Sequence, residues 1–204
     1  MRNFEIRDDE NGIGKVLIVK GDWSDDIASY MKQKKIYSLR LTDSFGFKGD
    51  DLSFLSSLKF LRSFELYCWE AKEVKNIEEL PQIEVLGTQF KSSQKVDFSG
   101  FSNLRVALLK WSKGLESILD LKTLEKLNIQ NYPFKNLEPL SNMTSLQRLY
   151  LTSRKLESLS GISKLENLAE LDLYNCPALT STSGIELCPN LGEIQIEACN
   201  QISA

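Results

Sequence analysis

The chain contains no histidine in its 204 residues. Histidine is the usual general base near neutral pH and the commonest metal ligand, so both chemistries lose their ordinary agent. Cysteine is sparse: Cys68, Cys176, Cys188 and Cys199 form no C-x-x-C pair, which argues against zinc. No apolar run approaches the ~20 residues that cross a bilayer. The opening MRNFEIRDDENG is rich in acid and has no apolar stretch, so it does not read as a secretory signal. The compartment expected from these absences is cytoplasmic, where thiols stay reduced. A net charge of −3 and a pI near 5.2 call for neither nucleic acid nor an anionic membrane as partner. No cofactor motif is present. Gly12-Ile13-Gly14-Lys15 lacks the spacing of a phosphate loop, and Val16 stands where a magnesium site needs Ser or Thr. The Asp50-Asp51 pair reads as a solvated loop or helix cap rather than a cation site.

What the chain does contain is a repeat. Hydrophobic residues make up 42% and charged residues 26%, the balance of an ordered globular chain. The template L-x-x-L-x-L recurs at Ile36/Leu39/Leu41, Leu61/Phe64/Leu66, Ile83/Leu86/Thr88 and Leu104/Ala107/Leu109. It continues at Leu124/Leu127/Ile129, Leu146/Leu149/Leu151, Leu168/Leu171/Leu173 and Leu191/Ile194/Ile196. First positions are 25, 22, 21, 20, 22, 22 and 23 residues apart. The better-formed units also have a second half with apolar residues in a consistent phase: Phe134, Leu137, Leu140 and Met143 in one, Leu156, Leu159, Ile162 and Leu165 in the next. The L-x-L segment predicts a short strand whose alternate residues point inward. The second half brings the chain back along the outer side. One coil cannot cover its own apolar side, so coils stack and share a core.

This pattern resembles the leucine-rich repeat family, in its short type of about 22 residues found in internalins and phosphatase-regulatory proteins. Cys188-Pro189-Asn190-Leu191 followed by Ile194, Ile196 and Cys199 is similar to the cysteine-containing type. The resemblance covers roughly residues 36–204. It implies an α/β solenoid: a right-handed superhelix with a concave parallel β-sheet and a bacterial type of repeat. Family habit further implies reduced cysteines that hydrogen-bond the turns. Cys176 and Cys199 share one template position in adjacent coils, and a strand spacing of ~4.8 Å would also permit a disulfide.

Residues 1–35 read as a cap for the repeats that fill 36–204. Phe4 and Ile6 alternate with polar neighbours and Leu17 and Val19 fall in phase with the repeat, so residues 3–7 and 15–20 predict a hairpin around Glu10-Asn11-Gly12. Ser24 is the expected N-cap of a helix with Asp25 and Asp26 in its first turn and Ile27, Tyr30 and Met31 as its apolar stripe. No polar cap is visible before Ala204, which suits either a minimal end or the repeat portion of a larger surface or effector protein.

Function is expected on the sheet face. The third, fifth, seventh and eighth template positions are not needed for the core. They supply an apolar and aromatic group, Tyr67, Val85, Val106, Leu108, Trp111 and Tyr150, with Trp69 and Phe90 near it. They also supply a charge gradient: Lys110, Lys126 and Arg148 in the middle, then Glu170, Asp172, Glu193 and Glu197, with Asn128 and Tyr174 between. Exposed apolar patches rimmed by charge mark interaction sites. About nine strands span ~38 Å, enough for the ~800 Å² per partner of a stable protein interface. The expectation is a monomeric, non-enzymatic module that binds a protein partner on its concave face. A narrower version is an immunity or antitoxin protein whose acidic face neutralises a cognate toxin, an analogy of fold only.

Overall fold

The computed structural model describes residues 3–91 and 94–202. The alternation around Phe4 folds as β1 (Phe4–Asp8), antiparallel to β2 (Lys15–Val19), with Phe4 opposite Val19 and Asp8 opposite Lys15. Gly12 and Gly14 turn the chain at φ of 85° and 103°, angles that strain any residue with a Cβ. Helix α1 (Asp25–Lys34) follows and buries Ile27 and Met31, while the Tyr30 ring lies 4.8 Å from that of Phe4. Ser24 holds the N-cap position, but its hydroxyl makes no cap bond. Instead it accepts from Asn3 Nδ2 at 3.4 Å, which ties the hairpin to the helix. α1 stops where Lys35 turns left-handed at φ 53° and the Ile36 amide closes on the Met31 carbonyl at 2.9 Å.

Every later coil begins with a five-residue strand: β3 (Ser38–Thr42), β4 (Ser63–Tyr67), β5 (Val85–Gln89), β6 (Val106–Lys110), β7 (Lys126–Gln130), β8 (Arg148–Thr152), β9 (Glu170–Tyr174) and β10 (Glu193–Glu197). Two compact units result. The first is Met1–Leu104 with Ser112–Leu115, and the second is Arg105–Trp111 with Glu116–Ala204.

In the first unit β2, β3, β4 and β5 run parallel in chain order. Their register stacks Leu39, Phe64 and Leu86 in one inward row and Leu41, Leu66 and Thr88 in the next. All six are buried, and the Thr88 hydroxyl has no partner among the described residues. In the second unit β6 to β10 are all parallel. Ala107, Leu127, Leu149 and Leu171 form one inward row and Leu109, Ile129, Leu151 and Leu173 the other, all buried. The repeat register read from sequence therefore holds even at Thr88 and Ala107, where the template is weakest.

The returning halves use short 3₁₀ turns such as Glu138–Leu140 and Ile162–Lys164. Their apolar residues recur every third position, the period of a 3₁₀ turn. Leu137, Leu140, Met143 and Leu146 are all buried in one coil, as are Leu159, Ile162, Leu165 and Leu168 in the next. Among the described residues no helix is long and apolar enough to cross a membrane.

Candidate protein-binding face

The outward positions of the first unit turn out to be filled by the protein itself. Arg40, Glu65 and Gly87 lie side by side across β3, β4 and β5. Glu65 is only 1% exposed. Arg40 donates to it twice, Nε to Oε2 at 3.1 Å and Nη2 to Oε1 at 2.9 Å, and the Tyr67 hydroxyl donates to Oε2 at 2.7 Å. Desolvation pulls the Arg40 guanidinium down, but the Glu65 hydrogen bonds and charge outweigh it and hold the pKa above its ordinary value. Burial, reinforced by the Glu65 charge, raises that of the Tyr67 hydroxyl. Gly87 makes this possible. A Cβ there would stand 2.6 Å from the Tyr67 hydroxyl oxygen and 2.9 Å from Glu65 Cγ. At the adjoining third positions Ser38 and Ser63 are buried, and the Ser38 hydroxyl donates to Asp9 Oδ2 of the cap hairpin.

Two of the expected surface residues change their reading. Val85 is fully buried beside Ser63, and Val106 is buried too, so neither presents a side chain to a partner. Tyr67 is half-buried, and its polar end is committed to Glu65. The reason is local. Third positions in β3, β4 and β5 carry small or apolar residues that are buried, whereas from β7 onward they carry charged residues, of which Lys126 and Glu170 are half-buried and Arg148 and Glu193 exposed. The sequence reading gave every outward column the same exposure. It missed Glu65 as a buried charge, although opposite charges at Arg40 and Glu65 followed by a glycine in the same column were the available signal.

The second unit keeps its face open. Leu108, Lys110 and Trp111 are half-buried. Trp111 meets the edge of the Phe134 ring at 5.6 Å, and Phe134 meets Tyr132 at 5.2 Å. Lys126 lies over the Tyr150 ring, 5.6 Å from its centre. Tyr150 donates its hydroxyl to Glu170 Oε2 at 2.9 Å, and Arg148 Nε reaches Glu170 Oε1 at the same distance. Burial and then the Glu170 bond raise the Tyr150 pKa. The face's own cations Lys126 and Arg148 are thus engaged, while Asp172, Glu193 and Glu197 have no ion-pair partner among the described residues. Asn128 and Asp172 are half-buried, Glu193 is exposed, and Tyr174 is 54% exposed. At three of the eighth positions the residue shapes the turn: Asn131, Asn175 and Ala198 all sit at φ between 53° and 60°.

All four cysteines are free thiols. Cys188 donates to the Ile162 carbonyl at 3.6 Å and Cys176 to that of Tyr174 at 3.7 Å, so the thiols close turns. Burial, with the neighbouring Cys199 adding to it, pushes the Cys176 thiol up to about 12. Two hollows of about 440 and 450 Å³ open in the first unit around Phe47, Lys48 and Asp50. Among the described residues no three acidic or thiol side chains come together as a metal site.

No protein-family model matches this sequence. No curated protein matches it either. Solved structures do. Internalin C2 of Listeria monocytogenes is 23% identical with a TM-score of 0.62, over 89% of this chain and 79% of that one. An internalin (InlF) of the same organism is 18% identical with a TM-score of 0.57, over 83% of this chain and 50% of that one. A leucine-rich repeat protein of Leptospira interrogans is 17% identical with a TM-score of 0.56, over 87% of this chain and 52% of that one. The chain spans about half the length of the last two. With its stacked parallel strands, its inward leucine rows and these neighbours, the chain has the leucine-rich repeat fold.

Proposed function

We propose that the protein is a non-enzymatic binding module and that it holds a protein partner on the face of β7 to β10. The observation that carries this reading is the contrast between the units. The first spends its outward column on a sealed Arg40–Glu65–Tyr67 cluster, whereas the second presents Tyr174, Asp172 and Glu193 to solvent beside the braced pair Tyr150 and Arg148. Bracing matters because a side chain already held in place loses less entropy on binding. Tyr150, pinned between Lys126 and Glu170, and the open ring of Tyr174 are the aromatic anchors that interfaces favour. Leu108, Lys110 and Trp111 extend the surface over β6, and Asn128 lies between them and Tyr150. Val85 and Val106 drop out, and Tyr67 acts as a structural residue. The free thiols suit a reducing compartment such as the cytosol.

The test is quantitative capture from the native host. Tyr174→Glu and Leu108→Glu should each lower retention of the captured partner by about tenfold or more, with an unchanged melting temperature. Lys155→Glu, an exposed change off this face, should leave it alone. Equal retention by the three variants would remove the face from the account.

A further inference from the structure

The sealed cluster of the first unit has a counterpart in the second that is incomplete. In β4 the fifth template position is Glu65 and the seventh is Tyr67; in β9 the same two positions are Asp172 and Tyr174. Each acid and its tyrosine are two residues apart, so they share the outward side of their strand. Around Glu65 the protein finishes the cluster itself. Arg40, opposite Glu65 on β3, donates to it through Nε and Nη2, and its guanidinium lies 5.9 Å from the centre of the Tyr67 ring. Gly87, opposite Glu65 on β5, leaves room for the Tyr67 hydroxyl to fold back onto the carboxylate. Around Asp172 both neighbours differ. Tyr150 holds the place on β8 that Arg40 holds on β3, and it gives its hydroxyl to Glu170 instead. Gln195 holds the place of Gly87, and aspartate is one methylene shorter than glutamate. Tyr174 accordingly stays outside, 54% exposed, whereas Tyr67 is half-buried. What remains is a half-buried carboxylate beside an open phenol ring. Neither the Asp172 carboxylate nor the Tyr174 hydroxyl has a partner among the described residues.

We propose that the protein partner supplies the missing cation, an arginine whose guanidinium seats on Asp172 and lies against the Tyr174 ring, as Arg40 does for Glu65 and Tyr67. The inference rests on the reading of the β7 to β10 face as the binding surface and adds the chemical group that this face recognises. The internal counterpart selects arginine over lysine. A guanidinium presents two N–H donors on a planar fork to both oxygens of a carboxylate while its plane covers an aromatic face, whereas a lysine ammonium is a point charge. The face's own cations are already used, Lys126 over Tyr150 and Arg148 on Glu170. A single ion pair at a half-open site holds little by itself. The guanidinium therefore arrives on a protein surface that also covers Tyr150 and Leu108, not as a free small molecule.

The experiment crosses a change in the protein with a change in the partner. The chain and its Asp172→Asn variant are immobilised and exposed to host lysate that is untreated, treated with phenylglyoxal to block arginine, or acetylated to block lysine. The parent retains the partner about tenfold better than Asp172→Asn. Blocking arginine abolishes that ratio, and acetylating lysine preserves it. A ratio near one with untreated lysate overturns the proposal, as does a ratio that survives arginine blocking or is lost only on lysine acetylation. Tyr174→Glu and Leu108→Glu in the same assay keep the two readings apart. If they lower retention and Asp172→Asn does not, the arginine is wrong and the face stands; if none of the three lowers it, the face itself is wrong. A second measurement needs no partner. Tyr150→Arg places a guanidinium beside Asp172 as Arg40 stands beside Glu65. In a double-mutant cycle with Asp172→Asn, followed by urea denaturation, the new pair couples favourably by about threefold or more in the unfolding constant. Absence of coupling shows that Asp172 does not accept a guanidinium and overturns the proposal as well.

Discussion

Replacing Arg40 by Met should be among the most damaging single substitutions in the first unit, although Arg40 lies on an outward column. The structure sets the size of the effect. Glu65 is sealed and accepts three hydrogen bonds, two of them from Arg40 at 2.9 and 3.1 Å. Without Arg40 the carboxylate keeps only the Tyr67 hydroxyl. Removing one partner of a buried ion pair costs about 3–5 kcal/mol, because the remaining charge is left without compensation. For a chain of this size that is a fall of roughly 6–20 °C in melting temperature. The pair itself need not be stabilising, since two desolvated charges offset much of their mutual attraction. The double variant Arg40→Met/Glu65→Leu should therefore recover most of the loss, and a double-mutant cycle by urea denaturation with circular dichroism measures both. An Arg40→Met variant within about 0.5 kcal/mol of the parent would show that Glu65 is not the buried charge described, a change that small being typical of surface sites. A double variant as unstable as Arg40→Met alone would show that packing, not charge, is what was lost.

Gly87→Ala should cost about 1–3 kcal/mol by overpacking against Tyr67, and adding Tyr67→Phe, which removes the clashing oxygen, should return part of it in the same denaturation assay. Leu149→Ala in the second unit leaves a cavity in a fully buried row and should cost about 2–5 kcal/mol. Alkaline stability has a definite sign. Tyr67, Tyr132 and Cys176 all have raised pKa values, chiefly through burial, so the fold favours their protonated forms. Their contribution is complete below the ordinary thiol and phenol values. It is lost as pH rises through about 9 toward 12, because the unfolded chain then binds fewer protons than the native one. Urea midpoints measured across that range should fall with pH, and Cys176→Ala should flatten part of the fall.

The L-x-x-L-x-L spacing placed the strands and their inward rows, because a buried row tolerates little besides apolar side chains and so leaves a regular trace. Thr88 and Ala107 interrupt that trace without shifting it, since the coils on either side hold the register. Outward positions leave no such trace. Val85 and Tyr67 belong to columns whose exposure depends on what lies across them, and only the fold brings Asp9, Arg40 and Gly87 to the places that decide it. Ser24 shows the same limit on a smaller scale. Its type and position fit an N-cap, but Asn3, distant in sequence, uses the hydroxyl instead.

Hydroxyl-radical footprinting of the protein, free and bound to the partner it retains, tests the recognition face most directly. Tyr174 oxidises readily in the free protein, and the account requires that it and Tyr150 be shielded in the complex while Tyr67 and Phe134 are unchanged. Tyr174 oxidised equally in both states, with protection confined to the returning turns, would contradict it.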